Sequence, residues 1–303
     1  MNRKAAYCVI FWLLSITCFS QSNLNQFLKP SDSLNIPRRN ALVISEASIA
    51  GLSLIGLNSL WYNDYPRSKF HTINDGNEWQ QMDKLGHTFT AYNIGRVGAD
   101  LLNWSGVSKN NQLIYGATLG FAFLSTVEVF DGFSEEWGFS WSDIGANALG
   151  TGLYVGQELL WDEQRVVLKY SFSRTNYALQ RPNTLGNGLL EEVLKDYNGQ
   201  TYWLSANLHS FFKESKLPKW LNVAFGYGAD GMLTGNNDSV DNMFTNQNQI
   251  RQYYLSFDVD LTRIKTDSYV LKTIFSVLNI IKVPLPTVEF NSQNRLVFRL
   301  FYF

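Results

Sequence analysis

Cysteine is nearly absent from this chain of 303 residues, and its two copies, Cys8 and Cys18, both fall within the first twenty positions. Met1 to Ser20 reads as a secretory signal: Arg3 and Lys4 form the positive n-region, and Ala5 to Ile16 form an apolar run too short to span a bilayer comfortably. Cleavage after Ser20 is expected, which starts the mature chain at Gln21 and leaves it without a thiol. Disulfides and thiolate metal sites are then excluded. The rival is lipidation at Cys18, with Ser15, Ile16 and Thr17 serving as a lipobox, and the match is poor because a Leu three residues before the Cys is expected. A positive field is lacking too. The leader removes two of 25 basic residues and none of 26 acidic ones, so 23 face 26 and the net charge is −3. No basic face for nucleic acid exists. Also missing are a G-x-S-x-G elbow, a phosphate-binding Gly loop and H-E-x-x-H, so no cofactor is expected. Gly226, Gly228 and Gly231 in GYGADG suit strand kinks and a turn instead. Internal repeats and low-complexity tracts do not occur. Aromatics are what the chain has in quantity, with 9 Trp, 15 Tyr and 21 Phe, a content that suits membrane contact or a large aromatic core.

The expected organisation is α+β: an N-terminal apolar four-helix bundle followed by an antiparallel β-rich C-terminal region. A signal peptide covers 1–20, a polar tether 21–38, a helical module 39–162, and a β-rich region 163–303 with one helix near 268–281. The first helix is a mostly apolar run of about twenty residues, Ala41 to Trp61, long enough to cross a membrane. A second is expected over Glu78–Asn103, a third over Asn111–Phe130, and a fourth running to Leu160, with Ser142 as its cap. Glycines at 95, 98, 116, 120, 145, 150, 152 and 156 weaken water-exposed helices and favour tight or membrane-embedded packing. After Leu160 the period changes to two, and strands are expected from Val166, Thr201, Trp220 and Gln252 and in the closing RLVFRLFYF. Aromatic-rich strands ending on Phe resemble those of outer membranes, but five or six are too few for a closed membrane barrel, so a sheet packed on the bundle is expected.

Polar residues set inside the apolar helices mark the candidate site. Asp83 and His87 are four apart and share a helix face, with Lys84 beside them, and Asp143 and Asn147 repeat that spacing. Glu128 ends the intervening apolar run. Buried ionisable groups persist only when paired, neutralised or used. Three readings follow: a hydrogen-bond network that fixes helix register, a catalytic or ligand site, or a site for a hard or borderline divalent ion, whose nitrogen-poor ligand set disfavours dedicated zinc. His71 is expected in an exposed loop and His209 in a half-buried strand.

These residues also carry a resemblance. DKLGHTFTAYNIG, an acidic residue closing the next apolar helix, and WSDIGANALGTGLY are similar to the VanZ-like pattern D-K-x-x-H, Glu, D-x-x-x-N-x-x-G. They are closer still to the YfiM-type family of predicted periplasmic lipoproteins of unknown function, over residues 40–160. The pattern usually has a Gln soon after its Glu, where Asp131 and Gly132 stand here. The resemblance implies an envelope location, exported to the periplasmic face or the outer membrane, and a bundle that gathers Asp83, Lys84, His87, Glu128, Asp143 and Asn147. Two functions are expected to compete. One is binding or scaffolding of a membrane lipid or envelope glycolipid, with Lys84 pairing an anionic headgroup. The other is hydrolysis or transfer on a lipid-linked substrate, with His87 as general base.

Overall fold

The computed structural model describes residues 23–58, 62, 65–235 and 248–303, so the expected signal with Cys8 and Cys18 lies outside the described residues. Helices occupy the N-terminal half and a six-stranded antiparallel sheet the C-terminal half. Helix α1, Ile36–Leu57, starts where the Asn35 side chain accepts the Arg38 amide and Pro37 pre-sets the first turn. Helix α2 is Met82–Trp104, α3 is Leu119–Asp131 and α4 is Trp141–Trp161. The cap of α4 is Ser140, whose hydroxyl accepts the Asp143 amide, rather than the expected Ser142.

The four-helix bundle is not confirmed. Helices α2, α3 and α4 pack on one another, whereas α1 buries only Leu42 and stands against them with most of its surface open. Ile36–Leu57 and Lys109–Asp131 are each long and apolar enough to cross a membrane, by length and composition alone. The expected third helix is interrupted: Lys109–Asn111 is a single turn, and Gln112–Gly116 is wound as a π-helix before α3 begins. Gly116 there lies so close to the Ala99 backbone that a Cβ would not fit. The segment expected as a tether is held where it is described. Phe27 stacks edge-on against Trp104 at 5.1 Å, and the Asn25 side chain accepts the amide of Tyr269.

Two short parallel strands, β1 (Thr72–Ile73) and β2 (Phe139–Ser140), join the loop before α2 to the start of α4. The main sheet runs β3 (Val166–Phe172), β4 (Gln200–Asn207), β5 (Leu221–Asp230), β6 (Ile250–Val259), β7 (Leu285–Asn291) and β8 (Leu296–Tyr302), each strand paired to the next. Helix α5, Tyr269–Leu278, precedes β7. Strand β4 ends five residues before the expected run does, because the Asn207 side chain caps a helical turn, Leu208–Phe211. His209 therefore sits half-buried on that turn, not in a strand. Strand β7 adds to the expected strands, because Pro284 and Pro286 read from sequence only as a helix stop. The sheet tolerates Pro286 at an irregularity in its pairing with β8. Tyr92, Ala99, Leu113, Ala117 and Tyr154 of the helical half form one core with Leu168 of β3, so the two halves share a packed interface.

Candidate functional site

Three helices and one loop bring the charged residues to a common point. Asp83, Lys84 and His87 stand at the start of α2, Glu128 near the end of α3, and Asp143 and Asn147 at the start of α4. The entry to α2 is strained. Trp79, Gln80 and Gln81 have φ of 48°, 51° and 64°, left-handed conformations that cost a residue with a Cβ about 1–2 kcal/mol. The β region holds that turn in place: Tyr227 donates to the Gln80 carbonyl at 2.6 Å, and the Trp79 amide donates to the Gly235 carbonyl at 2.7 Å.

Lys84 is the centre of the cluster. Its ammonium lies 2.7 Å from Asp75, 3.0 Å from Asp83 and 2.7 Å from Asp143. Burial alone would lower its pKa, but Asp83 and Asp143 outweigh burial and hold it above the usual lysine range. Asp75 also accepts from Ser140 at 2.6 Å and Ser142 at 2.8 Å. Burial opposes its charge, and the bonds from Lys84 and Ser140 prevail, bringing it down to about 2.

His87 is the second basic group. Its Nδ1 lies 3.0 Å from Asn147 Oδ1 and so donates to it, while Nε2 faces Glu128 at 3.6 Å and Asp83 and Asp143 at 3.8 Å each. Burial works to discharge the ring, and the surrounding carboxylates raise its pKa above the ordinary value. Asp83 is driven down against its burial by His87 and Lys84, whereas burial and the Asp83 charge push Asp143 up. Glu128 accepts the Ser140 amide at 3.1 Å, and burial together with Asp143 raises its carboxyl to about 8. The site thus sets an imidazole whose surroundings favour its charged form beside a carboxyl that is protonated near neutral pH.

That carboxyl has a consequence for stability. Its folded pKa lies above the ordinary 4.5, so its contribution is complete below that value and is lost as pH rises through 8. His87, also raised, titrates in the same sense. Thermal unfolding should fall by several degrees between about pH 6 and 9, and Glu128→Gln should remove about half of that fall. A variant with the same slope as the parent would show that Glu128 is ionised throughout.

All six residues singled out from the sequence meet here, and three more join them. Asp75 lies in the loop after β1, Ser140 at the end of β2, and Tyr197, from the β region, donates to Asp83 at 2.7 Å. Helical periodicity could not find Asp75 or Tyr197, because both stand in irregular segments whose approach depends on tertiary structure. A metal could draw on Asp83, His87 and Asp143, whose ligand atoms lie within 4.8 Å of one another. Two of those carboxylates already share the Lys84 ammonium, so an ion would have to displace it. Asn147 Nδ2 is buried with no hydrogen-bond partner among the described residues.

Residues 73–157 match the model of a family described as predicted periplasmic lipoprotein (DUF2279). The match spans Asp75, Asp83, Lys84, His87, Glu128, Asp143 and Asn147 and stops before the sheet. It supports an exported, envelope-associated protein and the lipoprotein side of the resemblance, and it carries neither the VanZ nor the YfiM name. No curated protein and no solved structure matches the chain.

Proposed function

We propose that this is a cell-envelope protein that binds or scaffolds a lipid or envelope glycolipid, taking its acyl part between α1 and α3. The observation that carries this reading is a groove of about 600 Å³ lined by Leu54, Ile55, Tyr62, Val129, Phe130 and Phe133. Its size and apolar walls suit an acyl chain. Arg67, exposed on the same lining, is the cation that fits an anionic headgroup, because Lys84 is committed to three carboxylates. Tyr62 ties the groove to the end of α3, three residues past Glu128, by donating to Asp131 at 2.6 Å. The charged network then acts as the fixed point that holds α2, α3, α4 and the Tyr197 segment in register.

A second reading, hydrolysis or transfer on a lipid-linked substrate, rests on Glu128, a proton donor 3.6 Å from His87. It requires His87 as a general base. Burial works against the ring's charge, but the carboxylates around Nε2 raise its pKa and favour the protonated form, which is not the form a general base needs.

The test uses the full chain purified in mild detergent, with lipid extracted and weighed by mass spectrometry. Lipid should co-purify, and Phe133→Asp, which puts a charge in the groove, should retain roughly fivefold less or lower still. Lipid-free parent protein, or an unchanged load in Phe133→Asp, would overturn the binding reading. His87→Gln keeps a donor and an acceptor but cannot act as a base. It should fold, carry lipid and complement a deletion strain. A stable His87→Gln protein that behaves like the deletion would favour chemistry instead.

A further inference from the structure

The main sheet has its polarity reversed. An antiparallel sheet with one face in water turns apolar side chains to the core and polar ones outward. Here the inward face carries the polar groups. Lys169 pairs with Asp258 at 2.8 Å with both side chains fully buried, Asp258 also accepts from Ser205 at 2.7 Å, and Glu289 holds Arg299 at 2.7 Å. Trp203, Tyr254 and Tyr302 pack beside them, with Tyr302 donating to Tyr254 at 2.8 Å. The sheet curls around this interior. Tyr170 of β3 bridges to Ile281, and the Ser173 hydroxyl donates to the carbonyl of Phe303 at 2.6 Å.

The outward face is apolar, and strand register aligns it. Leu204, Phe225, Leu255, Val288 and Phe298 form one row across five consecutive strands, each 36% to 67% exposed. A parallel row carries Tyr227, Tyr253, Phe290 and Leu296. Helix α2 covers the outer side of β3 and β4, where Phe89 packs on Tyr170 and Tyr202 at 5.6 Å each. Tyr227 is half covered by the turn before α2, to which it donates at Gln80, but Phe225, Tyr253, Leu255, Val288, Phe290, Leu296 and Phe298 stand exposed with no helix over them among the described residues. A continuous apolar patch of this kind is larger than soluble monomers normally expose.

We propose that the outward face of β5 to β8 lies in the acyl layer of a phospholipid bilayer. Three observations select a bilayer over a second copy of the chain. Reversed polarity with a hydrogen-bonded interior is the arrangement of sheets whose solvent is lipid. Strands β5 and β6 are ten residues each, the length of a tilted membrane strand, and exposed Tyr253 lies in the outward row toward one end of the sheet while exposed Trp220 stands just before β5 at the other. Helix α1 is a separate apolar surface of membrane-crossing length that buries only Leu42, a second surface that a bilayer would cover and a copy of the sheet face would not. Among the described residues the interior holds Trp203, Tyr254 and Tyr302 packed beside the pair of Lys169 and Asp258. The inference stands on the sheet and not on the groove between α1 and α3.

The test places the photoreactive residue p-benzoylphenylalanine at Phe225 or Phe298, with Lys213 in the exposed turn after β4 as control. The full chain is reconstituted in vesicles of phosphatidylethanolamine and phosphatidylglycerol, irradiated and weighed intact. Adducts one phospholipid heavier are expected at Phe225 and Phe298 and none at Lys213. Both test positions are exposed aromatics, so unchanged thermal unfolding is expected and verifies the fold. A product of twice the protein mass would overturn the proposal by placing a second copy on this face, and so would the absence of any adduct. Phe133→Asp, which empties the groove, should leave the adducts in place, so failure of either reading is recognised separately.

Discussion

Lys84→Met should destabilise the protein by about 3–5 kcal/mol, the cost of removing one partner from a buried ionic cluster. The side chain is 13% exposed and its ammonium lies 2.7–3.0 Å from three carboxylates. Methionine fills similar volume but leaves Asp75, Asp83 and Asp143 facing one another in a desolvated pocket. They would have to take up protons to remain folded, so the variant should recover stability as pH falls from 7 toward 5, more steeply than the parent does. Neutralising one partner should help. Asp143→Asn costs stability in the parent yet is expected to restore roughly 1–3 kcal/mol in the Lys84→Met background, the coupling expected of directly interacting groups. Denaturant unfolding in detergent of the two single variants and the double variant measures this. If Lys84→Met loses less than about 1 kcal/mol, the cluster is no stronger than an exposed surface pair and does not organise the helices.

The helical half of the site was legible because its geometry is written in local spacing. Asp83 with His87 and Asp143 with Asn147 are four apart, and in apolar segments such pairs have few destinations other than one another. What spacing does not carry is the irregular backbone. Asp75 reaches Lys84 only because β1 pairs with β2, and Tyr197 reaches Asp83 only because the β region docks against the entry to α2. Ser140 replaces the expected Ser142 as cap by a shift of two residues, which no periodicity distinguishes. The four-helix expectation failed at α1. Its apolar run is real, but it buries only Leu42, and hydrophobicity alone does not separate a core helix from one whose apolar surface stays open.

The sheet shows a different limit. Alternation identifies strands and says that two faces differ, but a period of two is symmetric and does not reveal which face turns inward. In TYWLSAN the apolar Leu204 turns outward while Trp203 and Ser205 turn in, and in RQYYLSFDV the outward Leu255 and Phe257 flank the inward Ser256. A reader assuming water outside assigns these faces backwards. Strand β7 was hidden for a local reason, since Pro286 sits where its pairing with β8 is irregular and only Thr287, Val288, Glu289 and Phe290 keep the alternation.

Gly150→Ala should be nearly as damaging as the loss of Lys84, for a steric reason. A Cβ at Gly150 would fall within contact distance of the Thr88 carbonyl oxygen and 3.0 Å from the Tyr92 amide nitrogen. Both are backbone atoms of α2, so no rotamer change relieves the overlap and the helices must separate. Such overpacking typically costs about 1–3 kcal/mol. Separation would also draw Asp143 and Asn147, on α4, away from Lys84 and His87, on α2, and so add the loss of the ion cluster to the strain. Gly145 is the control: it lies on the same helix, but an added Cβ there meets nothing within 4 Å. Gly145→Ala should therefore stabilise α4 by up to about 1 kcal/mol, the difference in helix propensity. Thermal unfolding followed by circular dichroism in one detergent compares the two. Opposite signs for the same chemical change establish that α2 and α4 meet through Gly150. Equal and small effects would mean that the helices are further apart than the cluster requires, and that Asp143 does not reach Lys84.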